Sequence, residues 1–90
     1  MNIVYTKAFL KQFKLRIVPN KNLLKRYYER ENIFLEDLNN PVLKNHSLKG
    51  EMKGFYSFSI AGDIRVIYKF MDNEKVLAIF IDIGSHNQVY

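Results

Sequence analysis

The plausible groups for moving protons or binding a phosphate in this 90-residue chain are seven, all in its second half: His46, Lys49, Lys53, Asp63, Arg65, His86 and Tyr90. Cleaving a phosphodiester beside a ribose 2′-hydroxyl without a metal needs few parts. A base takes the 2′-hydroxyl proton, cations stabilise the charged phosphorane, and an acid protonates the leaving 5′-oxygen. The histidines and the aspartate suit the proton transfers; the arginine and the lysines suit the phosphate. Each also has a purely structural explanation. His46, beside Asn45 and Ser47 in a polar linker, can simply be solvated, and Lys49 and Lys53 can be ordinary surface lysines. Asp63 follows Gly62 and fits a turn; Tyr90 can be a terminal aromatic tucked onto the protein. Arg65 is the hardest to explain away, because an arginine inside an apolar strand calls for a partner or a ligand.

Other chemistries fit less well. The chain has no cysteine, which removes thiol nucleophiles, thiolate metal sites and disulfides. Its two histidines and scattered carboxylates show no metal-ligand spacing. Ser85 and His86 are adjacent, which places them badly as a nucleophile–base pair, and there is no glycine-rich phosphate loop. No metal or cofactor is called for.

The elements that must position these groups are legible from periodicity. Ile3 to Tyr5 reads as a short strand. Thr6 can cap a helix in which Phe9, Phe13 and Ile17 recur every four residues with Leu10 beside them, while Lys7, Lys11 and Lys14 line another face. Pro19-Asn20 breaks that pattern, and Asn20 can cap a second helix carrying Leu24, Tyr27, Tyr28, Phe34, Leu35 and Leu38, ending near Asn39-Asn40-Pro41. Beyond a linker punctuated by Gly50 and Gly54, the segments 55–60, 64–70 and 76–83 are β-type, separated by Gly62-Asp63 and by Met71-Asp72-Asn73-Glu74. The expected fold is α+β: an N-terminal strand, a helical hairpin, then an antiparallel β-meander with both helices on one face. Residues 1–90 fit one domain. Alternation puts Ile64, Val66, Tyr68 and Phe70 towards the helices and Asp63, Arg65, Ile67 and Lys69 on the open face.

Charge is uneven. The net charge is +5, with ten Lys/Arg against four Asp/Glu in residues 1–50 and four against five in residues 51–90. A positive field in one half points to a polyanion or an acidic protein partner; its plain alternative is a solvated helix face. The N-terminus has no apolar leader, and no stretch approaches the ~18 apolar residues of a membrane span. With the missing cysteines, this fits a cytoplasmic protein.

Four strings now become recognisable: His46-Ser47-Leu48-Lys49-Gly50, Lys53-Gly54-Phe55, Gly62-Asp63-Ile64-Arg65-Val66-Ile67-Tyr68, and Gly84-Ser85-His86-Asn87-Gln88-Val89-Tyr90. Together, at these spacings, they resemble the RelE/ParE superfamily, closest to its YafQ-like branch, and the leading strand and helical hairpin match in order and length. The resemblance implies a RelE-like microbial RNase fold and a type II toxin that cleaves mRNA in the ribosomal A site, without a metal. The implied partners are a cognate acidic antitoxin, the ribosome and mRNA. By the same resemblance, His46, Asp63 and His86 match catalytic positions and Tyr90 a terminal aromatic that orients substrate. Arg65 matches an arginine that contacts the scissile phosphate, and Lys49 and Lys53 match RNA-binding lysines; the basic face of Lys7, Lys11 and Lys14 suits ribosomal RNA. Two positions depart from the branch: Ser59 stands where it has a histidine, and Asp82 where it has an arginine. Arg65 is positioned to replace that missing positive charge from the neighbouring strand. The alternatives are a ParE-like toxin that binds a topoisomerase without nuclease activity, or an inactive relative that binds only its antitoxin.

Overall fold

In the computed structural model, which describes residues 1–85, the chain runs β1 (Asn2–Tyr5), α1 (Lys7–Arg16), α2 (Lys21–Glu36), β2 (His46–Ser47), β3 (Tyr56–Ala61), β4 (Ile64–Phe70) and β5 (Leu77–Ser85). Single 3-10 turns at Pro41–Leu43 and Gly50–Met52 flank β2. The helices begin where capping chemistry places them. The Thr6 hydroxyl accepts from the Phe9 amide (3.0 Å) and donates to the Ile81 carbonyl (2.8 Å), so one side chain both starts α1 and ties that start to β5. The Asn20 side chain accepts from the amides of Asn22 and Leu23 and starts α2.

The five strands form one sheet in the order β1-β5-β4-β3-β2. The last three long strands make the expected antiparallel meander; β1 adds to β5 in parallel, Asn2 opposite Leu77 through Tyr5 opposite Phe80. Sequence reading missed β2. The linker after the helices contains a two-residue strand on the outer edge of β3, pairing His46 with Ser57 and Ser47 with Tyr56. His46 is therefore anchored by its backbone rather than carried on a free loop.

The core lies between the helices and one face of the sheet. Phe34 of α2 is its centre, with ring centroids 4.9 Å from Phe58 and from Tyr68 and 5.2 Å from Phe80. Phe9, Ile17 and Tyr27 are buried with it, while Leu10, Tyr28 and Leu35 of the apolar helix stripes stay exposed. Ile67 faces Asp82 but Tyr68 faces Phe80, so Ile81 is the extra residue of a β-bulge. The bulge shifts the alternation of β5 by one residue, and Ala78, Phe80 and Ile83 all reach the core.

Two polar contacts lock α2 onto the sheet. Arg30 donates to the carbonyls of Val42 (2.9 Å) and Ser59 (3.1 Å), which removes it from the free basic surface of the hairpin. Glu31 accepts from the hydroxyls of Tyr5 and Tyr27. Burial, reinforced by that carboxylate, pushes the Tyr5 hydroxyl up to about 12 and the Tyr27 hydroxyl higher still, so both remain donors. Among the described residues no helix is long and apolar enough to cross a membrane.

Candidate active site

The sheet face away from the helices is less open than its sequence pattern implies. Alternation places Ser57, Ser59 and Ile67 there, and all three are buried. Across the strands, Ser59 pairs with Arg65 and Arg65 with Gly84; the next row is Ser57, Ile67 and Asp82. Gly84 adds no side chain beside Arg65.

Arg65, half-buried on the central strand, reaches across β3 to the edge of the sheet. Its Nε donates to the Ser57 hydroxyl at 2.7 Å. One terminal nitrogen donates to the Lys44 carbonyl at 2.8 Å and lies 3.3 Å from His46 Nδ1. Lys44 can offer that carbonyl because of how the preceding turn ends. The Asn40 side chain accepts from the Val42 amide to start the turn, Leu43 is fully buried beneath it, and Lys44 closes it in the left-handed region at φ 47°. Burial anchors the segment, the turn aims a carbonyl, and Arg65 fastens β2 to the rest of the sheet.

His46 is exposed, and its Nδ1 has two neighbours of opposite demand. The Lys44 carbonyl, 3.1 Å away, requires a proton on Nδ1; Arg65, which can only donate, requires a lone pair there. With Nδ1 protonated, Nε2 carries the lone pair and is a base; with Arg65 donating to Nδ1, Nε2 carries the proton and is a donor. One imidazole thus has a supported arrangement for each direction of proton transfer.

The structure brings His46 and Arg65 together but not Asp63. Asp63 is exposed in the β3–β4 turn, two residues from Arg65, and makes no hydrogen bond or ion pair to either among the described residues. Lys49 and Lys53 stand at the two ends of the tight turn between β2 and β3, both exposed. Lys7, Lys11 and Lys14 are exposed along α1, and the one ion pair among the described residues joins Arg26 to Glu29 at 3.9 Å. His86 and Tyr90 lie outside the described residues. Asp82 spends its carboxylate on the Ile83 amide (2.9 Å), and Arg65 turns away from it towards β2. Two participants were missed from the sequence: Ser57, which carries no chemical signature, and the Lys44 carbonyl, a backbone group. Among the described residues no cluster of three histidine, aspartate or glutamate side chains is placed to hold a metal ion.

Comparison with known proteins gives the arrangement its context. The whole chain, residues 1–90, matches the family model described as bacterial toxin of type II toxin–antitoxin system, YafQ. No curated protein sequence matches it. The structure of YafQ from E. coli strain BL21(DE3) superposes with a TM-score of 0.80 at 23% identity, covering 98% of this chain and 96% of that one. The E. coli DinJ–YafQ toxin–antitoxin complex contains a chain that is 29% identical, with a TM-score of 0.71 and coverage of 98% and 94%. The YoeB/ParE toxin from Agrobacterium tumefaciens shares the fold at 17% identity, with a TM-score of 0.79 and coverage of 96% and 99%. The chain belongs to the YafQ family of type II toxin–antitoxin toxins.

Proposed function

We propose that this YafQ-family toxin is a metal-independent endoribonuclease that cuts mRNA in the ribosomal A site and so stops translation. The observation that carries the reading is the contact of Arg65 with His46, a cation and a proton carrier held at one sheet edge by Ser57 and the Lys44 carbonyl. In the reaction, the 2′-oxygen attacks the adjacent phosphorus as a base removes its proton, the phosphorane charge is neutralised by cations, and the 5′-oxygen leaves with a proton from an acid. The upstream fragment then ends in a 2′,3′-cyclic phosphate.

His46 is one of the two proton carriers and Arg65 the phosphate cation. The second terminal nitrogen of Arg65 makes no hydrogen bond among the described residues and is available to a phosphate oxygen. His86 is the other proton carrier, oriented by Asp63, and Tyr90 holds a base in place. Lys49 and Lys53 meet RNA phosphates beside β2, and Lys7, Lys11 and Lys14 meet ribosomal RNA without reading sequence. Silencing falls to a cognate acidic antitoxin that folds over the basic hairpin and the exposed sheet edge.

Pulse-labelling after induced expression tests the class of target. Amino-acid incorporation should fall within minutes, before nucleotide incorporation changes. A fall in DNA synthesis first would mark a toxin that binds a replication target instead, and unimpaired growth an inactive relative.

A further inference from the structure

A recess lined in part by His46 opens beside Tyr56 of β3 and Phe70 of β4. It is a cleft of about 250 Å³ whose walls include Asn39, Asn45, His46, Tyr56, Phe70 and Lys75; a neighbouring recess shares Tyr56, Phe70 and Lys75 and is lined by Gly54 as well. Two of its walls are rings. Tyr56 stacks on Tyr68 with centroids 5.5 Å apart and planes at 24°, and Phe70 meets Tyr56 edge-on at 5.6 Å. Both Tyr56 and Phe70 are half-buried, packed on the core with part of their surface left to the cleft. The amine of Lys75 lies over the Phe70 ring, 5.7 Å from its centre.

One polar wall is fixed in orientation. Asn45 accepts from the Tyr68 hydroxyl at 2.7 Å and donates to the Leu38 carbonyl at 3.2 Å, which sets which end of its amide faces where. The backbone adds an independent observation. Among the described residues, the two non-glycine residues with positive φ are Lys44, directly before Asn45, and Lys75 itself, at φ 47° and 59°. A side chain in that conformation costs free energy; Lys44 adopts it in closing the turn before β2 and Lys75 in closing the turn before β5, which fixes both ends of the cleft's loop walls.

We infer that this cleft binds an unpaired nucleobase of the RNA strand next to the bond cut at His46, with Tyr56 and Phe70 as the stacking platform and Lys75 on the flanking phosphate. Aromatic faces, a cation and an oriented amide in one groove are the means by which proteins hold single-stranded RNA. The inference rests on the nuclease reading and adds a substrate subsite to it.

The test uses the full-length isotope-labelled protein and a 2′-O-methylated hexa-adenylate, which has no 2′-hydroxyl to attack. Titration should shift the Asn39 and Asn45 side-chain amides and the Tyr56 and Phe70 ring signals. Lys75→Gly removes the charge and relieves the positive φ; it should lower affinity about fivefold and reduce its salt dependence while unfolding at or above the wild-type temperature. Shifts confined to Ser57 and Arg65, no shifts at all, or wild-type affinity in Lys75→Gly would overturn the subsite. Cleavage on translating ribosomes separates the two ideas. A protein that cuts mRNA but leaves these signals unmoved refutes the subsite alone, and one that fills the cleft but never cuts refutes the nuclease reading alone.

Discussion

On the helix-covered face of the sheet, Phe9, Phe34, Phe58, Tyr68 and Phe80 meet ring to ring and are almost wholly buried. On the opposite face, on the same strands, stand Ser57, Ser59, Arg65 and Gly84, of which Ser57 and Arg65 are joined to β2 and the turn before it. The first face is apolar and non-directional, and it determines whether the chain folds. The second is directional, and it determines where His46 sits. The same strand β4 serves both, Val66 and Tyr68 on one side and Arg65 on the other. Stability and site geometry should therefore respond to different substitutions.

Substitution in the aromatic face should give the largest loss. Phe34→Ala should cost about 3–5 kcal/mol, enough to unfold a marginal domain, because Phe34 contacts rings from three strands. Chemical denaturation checks this. A loss below about 1 kcal/mol would mean that the core repacks easily and that the two faces are not distinct.

Arg65→Ala should cost less stability, about 1.5–3 kcal/mol for hydrogen bonds made by a charged group, but it should act locally. Hydrogen exchange should accelerate at His46 and Ser47 while β4 and β5 keep their protection. Uniform acceleration across the sheet would show that Arg65 supports the whole fold rather than β2. Arg30 offers the contrast, since it ties α2 to Ser59 and Val42 from the helix side.

The smallest effect is on the pH dependence of stability. Burial pushes the Tyr68 hydroxyl, which donates to Asn45, up to about 12. A tyrosine at its ordinary value near 10 ionises in the unfolded chain first, so stability is full below about pH 10 and falls as pH rises towards 12. Denaturation midpoints at pH 9 and pH 11 should differ, and Tyr68→Phe should reduce the difference. An equal difference in that variant would shift the cause to Tyr5 and Tyr27.

Much of this division is legible in the sequence, and the exceptions have physical reasons. Thr6 and Asn20 signal their helices because capping is local chemistry, and β4 shows its two faces because Arg65 and Lys69 alternate with Ile64, Val66, Tyr68 and Phe70, Ile67 alone departing from the pattern. Strand β2 has two residues, too few for a period, and its partner Ser57 resembles any polar strand residue. The bulge at Ile81 hides the true facing of β5, since a single extra residue inverts the parity that pattern reading relies on. Arg65 is recognisable as a residue in need of a partner, but its partners are a serine hydroxyl and a backbone carbonyl, and neither can be read from residue type. Arg30 counts as one more cation of a basic hairpin in the sequence, whereas in the fold it is a cross-link.

On the proposed function, the Arg65–His46 edge cuts RNA through the 2′-hydroxyl. The most direct test is to incubate the purified protein with ribosomes paused on a defined mRNA and to map the new ends. The expected result is cleavage within the A-site codon, with upstream fragments ending in 2′,3′-cyclic or 3′-phosphate, reduced at least ~100-fold in folded His46→Gln and Arg65→Ala variants. No cleavage by the wild-type protein, fragments ending in a 3′-hydroxyl, or undiminished cleavage by both variants would contradict it.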